Sequence, residues 1–350
     1  MKKAFIGEKL RLARTFHGMT LAELGNELST SRQYMQRLET DSDTSPTPDL
    51  VKALSEVLKV EETFFFERID EVREDQGHFR KLQTTPLHLR STVLAYGTIF
   101  NLMVRYLENH LELPAVNIPK VEVSSREEIE RAAESCRKKW GVGLDAPIQN
   151  VTRTLECAGI VVTTFAGVSE KIDAFSLVRG RPVIVRNTDK DSTSRARFDL
   201  AHECGHLVMH DGIVTGDPET EGEANTFASA FLLPRSAFVR EFPKARNIDW
   251  GGIFDMKKRW GTSVQALIRR AYDLGLLSPV QYRNANVYIS RMQWKKNEPL
   301  EPLSEVPEII PASLRYLQEE EGISLADVAL SLNVTTEMLE ALGITESVQV

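Results

Sequence analysis

Residues Ser194 to His210 read S-R-A-R-F-D-L-A-H-E-C-G-H-L-V-M-H, and this run constrains the fold more than any other. On a helix, His202 and His206 lie one turn apart on one face, where both imidazoles reach a single metal ion, and Glu203 flanks that face. A carboxylate so placed can take a proton from a metal-held water, the arrangement of a zinc hydrolase centre with Glu203 as general base. Ser194 is the expected N-cap. Phe198, Leu200, Ala201, Leu207 and Val208 supply the apolar surface that buries the helix and holds the histidines rigid. Two core histidines satisfied by hydrogen bonds are the plainer alternative, but a glutamate between them fits a core poorly.

A metal site of this kind needs a third protein ligand and an open fourth position. Downstream lies E-G-E-A-N-T-F-A-S-A-F-L-L-P, Glu221 to Pro234, with Ala224, Phe227, Ala228, Phe231 and Leu232 at helical spacing. Glu221 and Glu223 then point about 200° apart, so one faces the metal and the other does not. Glu221 is favoured, because Asn225 one turn on can orient its carboxylate; Glu223 is the alternative. Upstream, Ile160–Phe165, Ala174–Val178 and Pro182–Arg186 read as strands, the last two joined by Arg179-Gly180-Arg181. A small sheet against a metal-binding helix holds an extended peptide by pairing along an edge strand, and Asp173-Ala174-Phe175-Ser176 is the expected edge.

The first sixty residues have a different character. Leu10, Leu12, Ala13 and Phe16 mark one helix, Thr20 with Glu23 makes a capping box for the next, and Ser29-Thr30-Ser31 turns tightly into Arg32–Glu39. Two helices with so short a turn are the sequence form of a helix-turn-helix. The composition does not oppose nucleic-acid binding there. The formal net charge of −7 arises in the tail, where ten acidic residues from Glu301 to Glu346 stand against Arg315 alone. Residues 1 to 60 carry nine basic and eight acidic side chains, so affinity per monomer should be modest and salt-sensitive, and a homodimer is expected.

No long apolar run suits a membrane: Val93 to Leu113 is interrupted by Asn101, Arg105, Glu108, Asn109 and His110. Leu87 to Leu113 is instead a helix that packs on the metal-binding domain or on its twin in a dimer, and residues 66 to 90 read as an irregular linker. Cys136, Cys157 and Cys204 are scattered, as reduced thiols in a cytoplasmic protein are. The basic stretch Lys257 to Arg270 reads as a helical cap on the core in preference to a nucleic-acid contact. Ile323 to Leu339 echoes the pattern of residues 20 to 38 but is acidic, and is expected to be a protein-interaction or dimer element.

Two multi-motif resemblances cover most of the chain. Met19–Leu24, Ser29-Thr30-Ser31, Leu38-Glu39 and Pro48–Val60 resemble the XRE, or lambda-repressor-like, DNA-binding domain. That resemblance implies that Ser31, Arg32, Gln33 and Gln36 meet base edges in double-stranded DNA and that Arg37 meets a phosphate or a structural partner. Leu21 stands where this family usually has a backbone-contacting glutamine. Trp140-Gly141-Val142-Gly143, Asp173–Ser176, Arg197-Phe198, Ala201–Leu207 and Glu221–Pro234, in that order, resemble the ImmA/IrrE zinc metallopeptidases. This second resemblance implies a gluzincin-type site: Zn²⁺ held by His202, His206 and Glu221, Glu203 as general base and acid, and a peptide bond as substrate. Cys204 replaces the usual leucine and reads as a small core residue, and His210 is expected beside the ligands or the substrate.

The expected fold is therefore α+β. An all-α helix-turn-helix domain spans residues 1–65, a linker and long helix 66–120, a zinc peptidase domain 121–290 with a small sheet packed on the H-E-x-x-H helix, and an acidic helical region 291–350. The expected function is a DNA-binding transcriptional regulator whose zinc endopeptidase cleaves a regulatory protein such as a repressor. The alternative is a non-proteolytic transcription factor or antitoxin-like regulator whose metal domain acts as a sensor.

Overall fold

The computed structural model describes residues 4–68, 71–72, 77–79, 86–165, 174–178, 180–188 and 192–345. Four helices open the chain: α1 (Gly7–Phe16), α2 (Leu21–Glu27), α3 (Arg32–Thr40) and α4 (Pro48–Leu58). The expected capping box closes α2, with Thr20 Oγ1 accepting from Glu23 N at 3.1 Å and Glu23 Oε2 from Thr20 N at 2.7 Å. The Ser31 hydroxyl caps α3. Leu10, Leu24, Met35, Leu38 and Leu54 form the fully buried centre, and a buried ion pair between Arg14 and Glu39, 2.6 Å, ties α1 to α3.

The segment read as a linker contributes to the sheet. After a 3-10 turn over Glu62–Phe66, strand β1 (Gly77–Phe79) precedes the long helix α5 (Leu87–His110). Then come α6 (Arg126–Lys139), α7 (Val151–Cys157), β2 (Val161–Phe165), β3 (Ala174–Leu177), β4 (Val183–Asn187), α8 (Thr193–Met209) and α9 (Pro218–Leu232). Among the described residues the strands form one sheet in the order β1-β3-β4-β2, antiparallel at β1·β3 and β3·β4 and parallel at β2·β4. Two expectations are corrected here. Residues 66 to 90 are not wholly irregular, because Gly77–Phe79 pair in the sheet. β3 is not an edge, because β1 covers it; Asp173 and Arg179 of the expected edge and turn lie outside the described residues.

Both faces of the sheet are buried, which is why Ile160 to Val162 and Val183 to Val185 are continuously apolar. Val161, Phe165, Phe175, Leu177, Val183 and Val185 face α5 and the terminal helices, whereas Val162 and Ile184 join the core around α8. α5 packs on both the helix-turn-helix domain and the sheet. Its Tyr96 ring lies 4.7 Å from Phe16 and 6.0 Å from Phe165, and a Cβ on Gly97 would lie 3.1 Å from Leu177, so glycine admits the close approach.

Helices α10 (Arg235–Glu241), α11 (Trp250–Trp260), α12 (Val264–Asp273) and α13 (Pro279–Arg291) cap the core as expected. Their central cations are internal: Arg270 pairs with Glu130, and Lys257 lies 2.6 Å from both Glu298 and Glu301. The last helices, α14 (Ile309–Glu321), α15 (Leu325–Ser331) and α16 (Thr336–Glu340), fold back onto the N-terminal domain. Val334 bridges Val60, Glu61 N donates to Asn333 O at 3.0 Å, and Thr335 N to Lys59 O at 3.1 Å. The expected interaction element thus docks on its own chain.

A candidate metal centre between two helices

α8 is longer at its start than the sequence suggested. Ser192 is the N-cap, its hydroxyl accepting from Arg195 N, while Ser194 lies inside the first turn and bonds Glu301 through both its N–H, 2.9 Å, and its hydroxyl, 2.9 Å. Arg197, one turn on, is buried and donates to Ile148 O at 2.6 Å and to Glu305. The acidic tail thus pins the N-terminal end of α8. The other side of α8 faces α9, and at Gly205 the Phe227 side chain occupies the space a Cβ would need. α9 starts at Asp217, whose carboxylate accepts from Glu219 N at 2.8 Å and Thr220 N at 3.1 Å, and Pro218 is its first residue. Glu221 falls in that first turn, where the helix dipole favours negative charge.

His202, His206 and Glu221 converge: one donor atom from each lies within 4.8 Å of the others. The Nε2 atoms of the two histidines are 3.1 Å apart, and Glu221 carboxylate oxygens lie 3.4 Å from His202 Nε2 and 3.5 Å from His206 Nε2. Glu223 does not share the cluster; its Oε2 accepts from His210 Nε2 at 2.8 Å. Asn225 orients His202 and not, as expected, Glu221: its Oδ1 is 3.1 Å from His202 Nδ1. His210 Nδ1 is 2.8 Å from His206 Nδ1.

The proton positions follow from these partners. Asn225 Oδ1 accepts, so His202 carries its proton on Nδ1. Glu223 accepts from His210 Nε2–H, so His210 Nδ1 accepts from His206 Nδ1–H. Both histidines of the pair then present unprotonated Nε2 lone pairs to each other and to a carboxylate, an arrangement that repels unless a cation lies between them. Three donors about 2.0–2.1 Å from a tetrahedral ion stand about 3.3–3.4 Å apart. The observed separations match, so the residues present fit a zinc ion.

Titration agrees with this donor set. Burial lowers the His206 imidazole to about 4, so it is neutral at pH 7. Glu203 is fully buried beside the cluster, and burial pushes its carboxyl up to about 7 against the pull of His202 and of Ser176. The Ser176 hydroxyl on β3 donates to Glu203 Oε2 at 2.7 Å.

Two contributors escaped sequence reading. Ser176 reads in the sequence only as part of an edge, and His78 of β1 carries no pattern. The His78 ring stacks 5.2 Å from that of His206 at an interplanar angle of 14°. Of seven histidines in the chain, His78, His202, His206 and His210 gather here, yet the signal at His78 was a lone histidine in a charged segment. Cys204 is a buried core residue, as expected. On α3, Ser31, Arg32, Gln33, Gln36 and Arg37 are all exposed and share the helix's outer side, while Met35 and Leu38 face the core.

The fold and this site are those of a metallopeptidase-type α+β domain joined to a helix-turn-helix domain. Comparison with known families agrees: the family of IrrE N-terminal-like domains, the M78 peptidases, matches residues 155–272, and the helix-turn-helix family matches residues 10–65. No curated protein matches the chain. Among the described residues no helix is long and apolar enough to cross a membrane.

Proposed function

We propose that the protein is a DNA-binding transcriptional regulator whose zinc-dependent endopeptidase domain cleaves a regulatory protein, such as a repressor. The observation that carries this reading is the pairing of a cation-ready donor set with a buried carboxylate: His202, His206 and Glu221 on one side and Glu203, held by Ser176, on the other. A zinc ion bound there supplies Lewis acidity toward a peptide carbonyl and toward water. The remaining work falls to the chain's own groups. Ser176 fixes one oxygen of Glu203, leaving the other to take a proton from the attacking water and return it to the departing amine nitrogen, and a carboxyl titrating near neutrality suits both transfers. The His206–His210–Glu223 and His202–Asn225 contacts keep the imidazole rings in one orientation throughout.

Ser31, Arg32, Gln33 and Gln36 are the groups proposed to reach base edges and Arg37 to reach a phosphate, with two copies of the chain on the two halves of an operator. The discriminating experiment is Glu203→Gln. The variant is expected to keep one zinc per chain, lose cleavage of the partner protein by about 10²–10⁴-fold and lose switching of the target promoter. A variant that binds zinc and still switches the promoter would make the metal domain a non-cleaving sensor.

A further inference from the structure

β3 lies directly over Glu203, and its outer side is taken by the chain itself. Gly77, His78 and Phe79 pair antiparallel with Leu177, Ser176 and Phe175. The middle pair sets His78 opposite Ser176, the residue that holds Glu203. The buried His78 side chain extends over the histidine cluster, stacked on His206 and 6.4 Å from His210, with Nδ1 3.1 Å from Thr215 Oγ1. A strand from between the two domains therefore crosses the site where an extended peptide would pair with β3.

Several features make this strand a displaceable one. One of its described residues, Gly77, is a glycine, which holds strand conformation at an entropic cost. His78 Nε2 is buried with no hydrogen-bond partner among the described residues, which costs free energy in any state that keeps it there. The chain just before it is tied to other elements: Val72 N donates to Thr98 Oγ1 at 3.0 Å, and Glu71 lies 3.9 Å from Arg11 of α1. A strand with an unmet polar atom survives in such a position because its tether keeps its local concentration high.

We infer that Gly77–Phe79 is an internal occupant of the peptide-docking side of β3, which a protein substrate displaces by entering as an extended segment antiparallel to β3. The inference takes its purpose from the endopeptidase reading but not its test. It explains selectivity: a polypeptide must outcompete a built-in strand, so short or poorly matched segments stay outside.

The test is peptide binding to metal-free, full-length protein, where catalysis plays no part. The probe is the fluorescein-labelled peptide E-D-Q-G-H-F-R-K-L, the sequence of residues 74–82, read by anisotropy. His78→Pro, which weakens the strand pairing, and His78→Ala, which removes the stacking, should each bind it at least ~10-fold tighter than the wild type. Gly77→Cys with Leu177→Cys, in a Cys157→Ser background, should bind nothing when oxidised and recover on reduction, which controls for folding within one sample. Equal affinity in the wild type, the opened variants and the oxidised form overturns the inference, as does no binding to either opened variant when circular dichroism shows it folded. Zinc-loaded wild type that cuts its own chain between residues 77 and 80 also overturns it, since the segment would then be substrate. Failure of the endopeptidase reading shows separately, as cleavage indifferent to Glu203→Gln.

Discussion

The sharpest mechanical demand on the metal centre falls on Gly205, midway along the contact between α8 and α9. A Cβ added there would lie 3.0 Å from Phe227 Cδ1 and 3.1 Å from its Cβ and Cγ. Ordinary carbon contacts need about 3.5–4.0 Å, so Gly205→Ala asks for about half an ångström. The Phe227 ring cannot supply it by turning, because it is fully buried and stacked on Phe231 at 5.8 Å and 14°. α9 must move instead and carry Glu221, less than two turns upstream, with it. Folding stability is a poor readout: alanine gains about 1 kcal/mol of helix preference, against an overpacking cost of about 1–3 kcal/mol. Ligand distances tolerate only about 0.2 Å, so zinc affinity is the sensitive quantity, expected to weaken about 10–100-fold. Chelator competition on the purified protein measures it, with Glu221→Ala as the benchmark for complete loss of one ligand. Wild-type zinc affinity in Gly205→Ala, at an unchanged melting temperature, would refute the argument that this contact sets the ligand geometry.

Other perturbations separate the domains. Lys9 is buried against the Phe64 ring, and burial lowers its ammonium to about 7, against about 10.4 in an unfolded chain. Between those values the unfolded chain holds the extra proton, so stability should rise as pH rises from about 7 to 10, and the full cost is felt below 7. Lys9→Met should flatten that slope and add about 2–4 kcal/mol at pH 7; denaturant melts of both proteins at pH 7 and 9.5 test this, and a flat wild-type profile contradicts it. Arg197→Ala leaves Glu305 buried without its partner and should cost about 3–5 kcal/mol, read by the same melts, whereas replacing both residues by methionine should cost much less. Gln36→Ala should weaken binding to a duplex selected from random sequence by about 1–3 kcal/mol while leaving zinc affinity unchanged; equal binding removes Gln36 from the base-reading set.

What the sequence disclosed and what it withheld divide along a physical line. Local rules placed α2, its capping box, α3 and the fourfold spacing of His202 and His206, because each depends on neighbours a few residues away. The contrast of Glu221 with Glu223 was also legible, since helix geometry alone turns them apart. The cap of α8 falls two residues before the expected Ser194 because Ser192 and Ser194 are equivalent locally, and Glu301, more than a hundred residues later, bonds both. The partner of Asn225 is equally nonlocal: its position on α9 is legible, but the reach across to His202 depends on how closely the two helices approach. His78 had no periodicity around it, and its role comes entirely from a pairing between strands nearly a hundred residues apart.

The seam between Lys59–Glu61 and Asn333–Thr335 gives the molecule a nested topology. The N-terminal helices, α5, one face of the sheet and α14–α16 share one apolar core, and the helices around the metal-bearing α8 form the other. A nick between α9 and the end of α13 therefore leaves the N-terminal helices, α5 and α14–α16 joined by buried apolar surface, although the covalent path is broken. Truncation after α13, by contrast, strips Leu317, Val328, Met338 and Leu339 from that body and bares the apolar surface they cover on the N-terminal domain and the sheet. The chain's last helices and its long central helix α5 together decide whether the helix-turn-helix unit is whole.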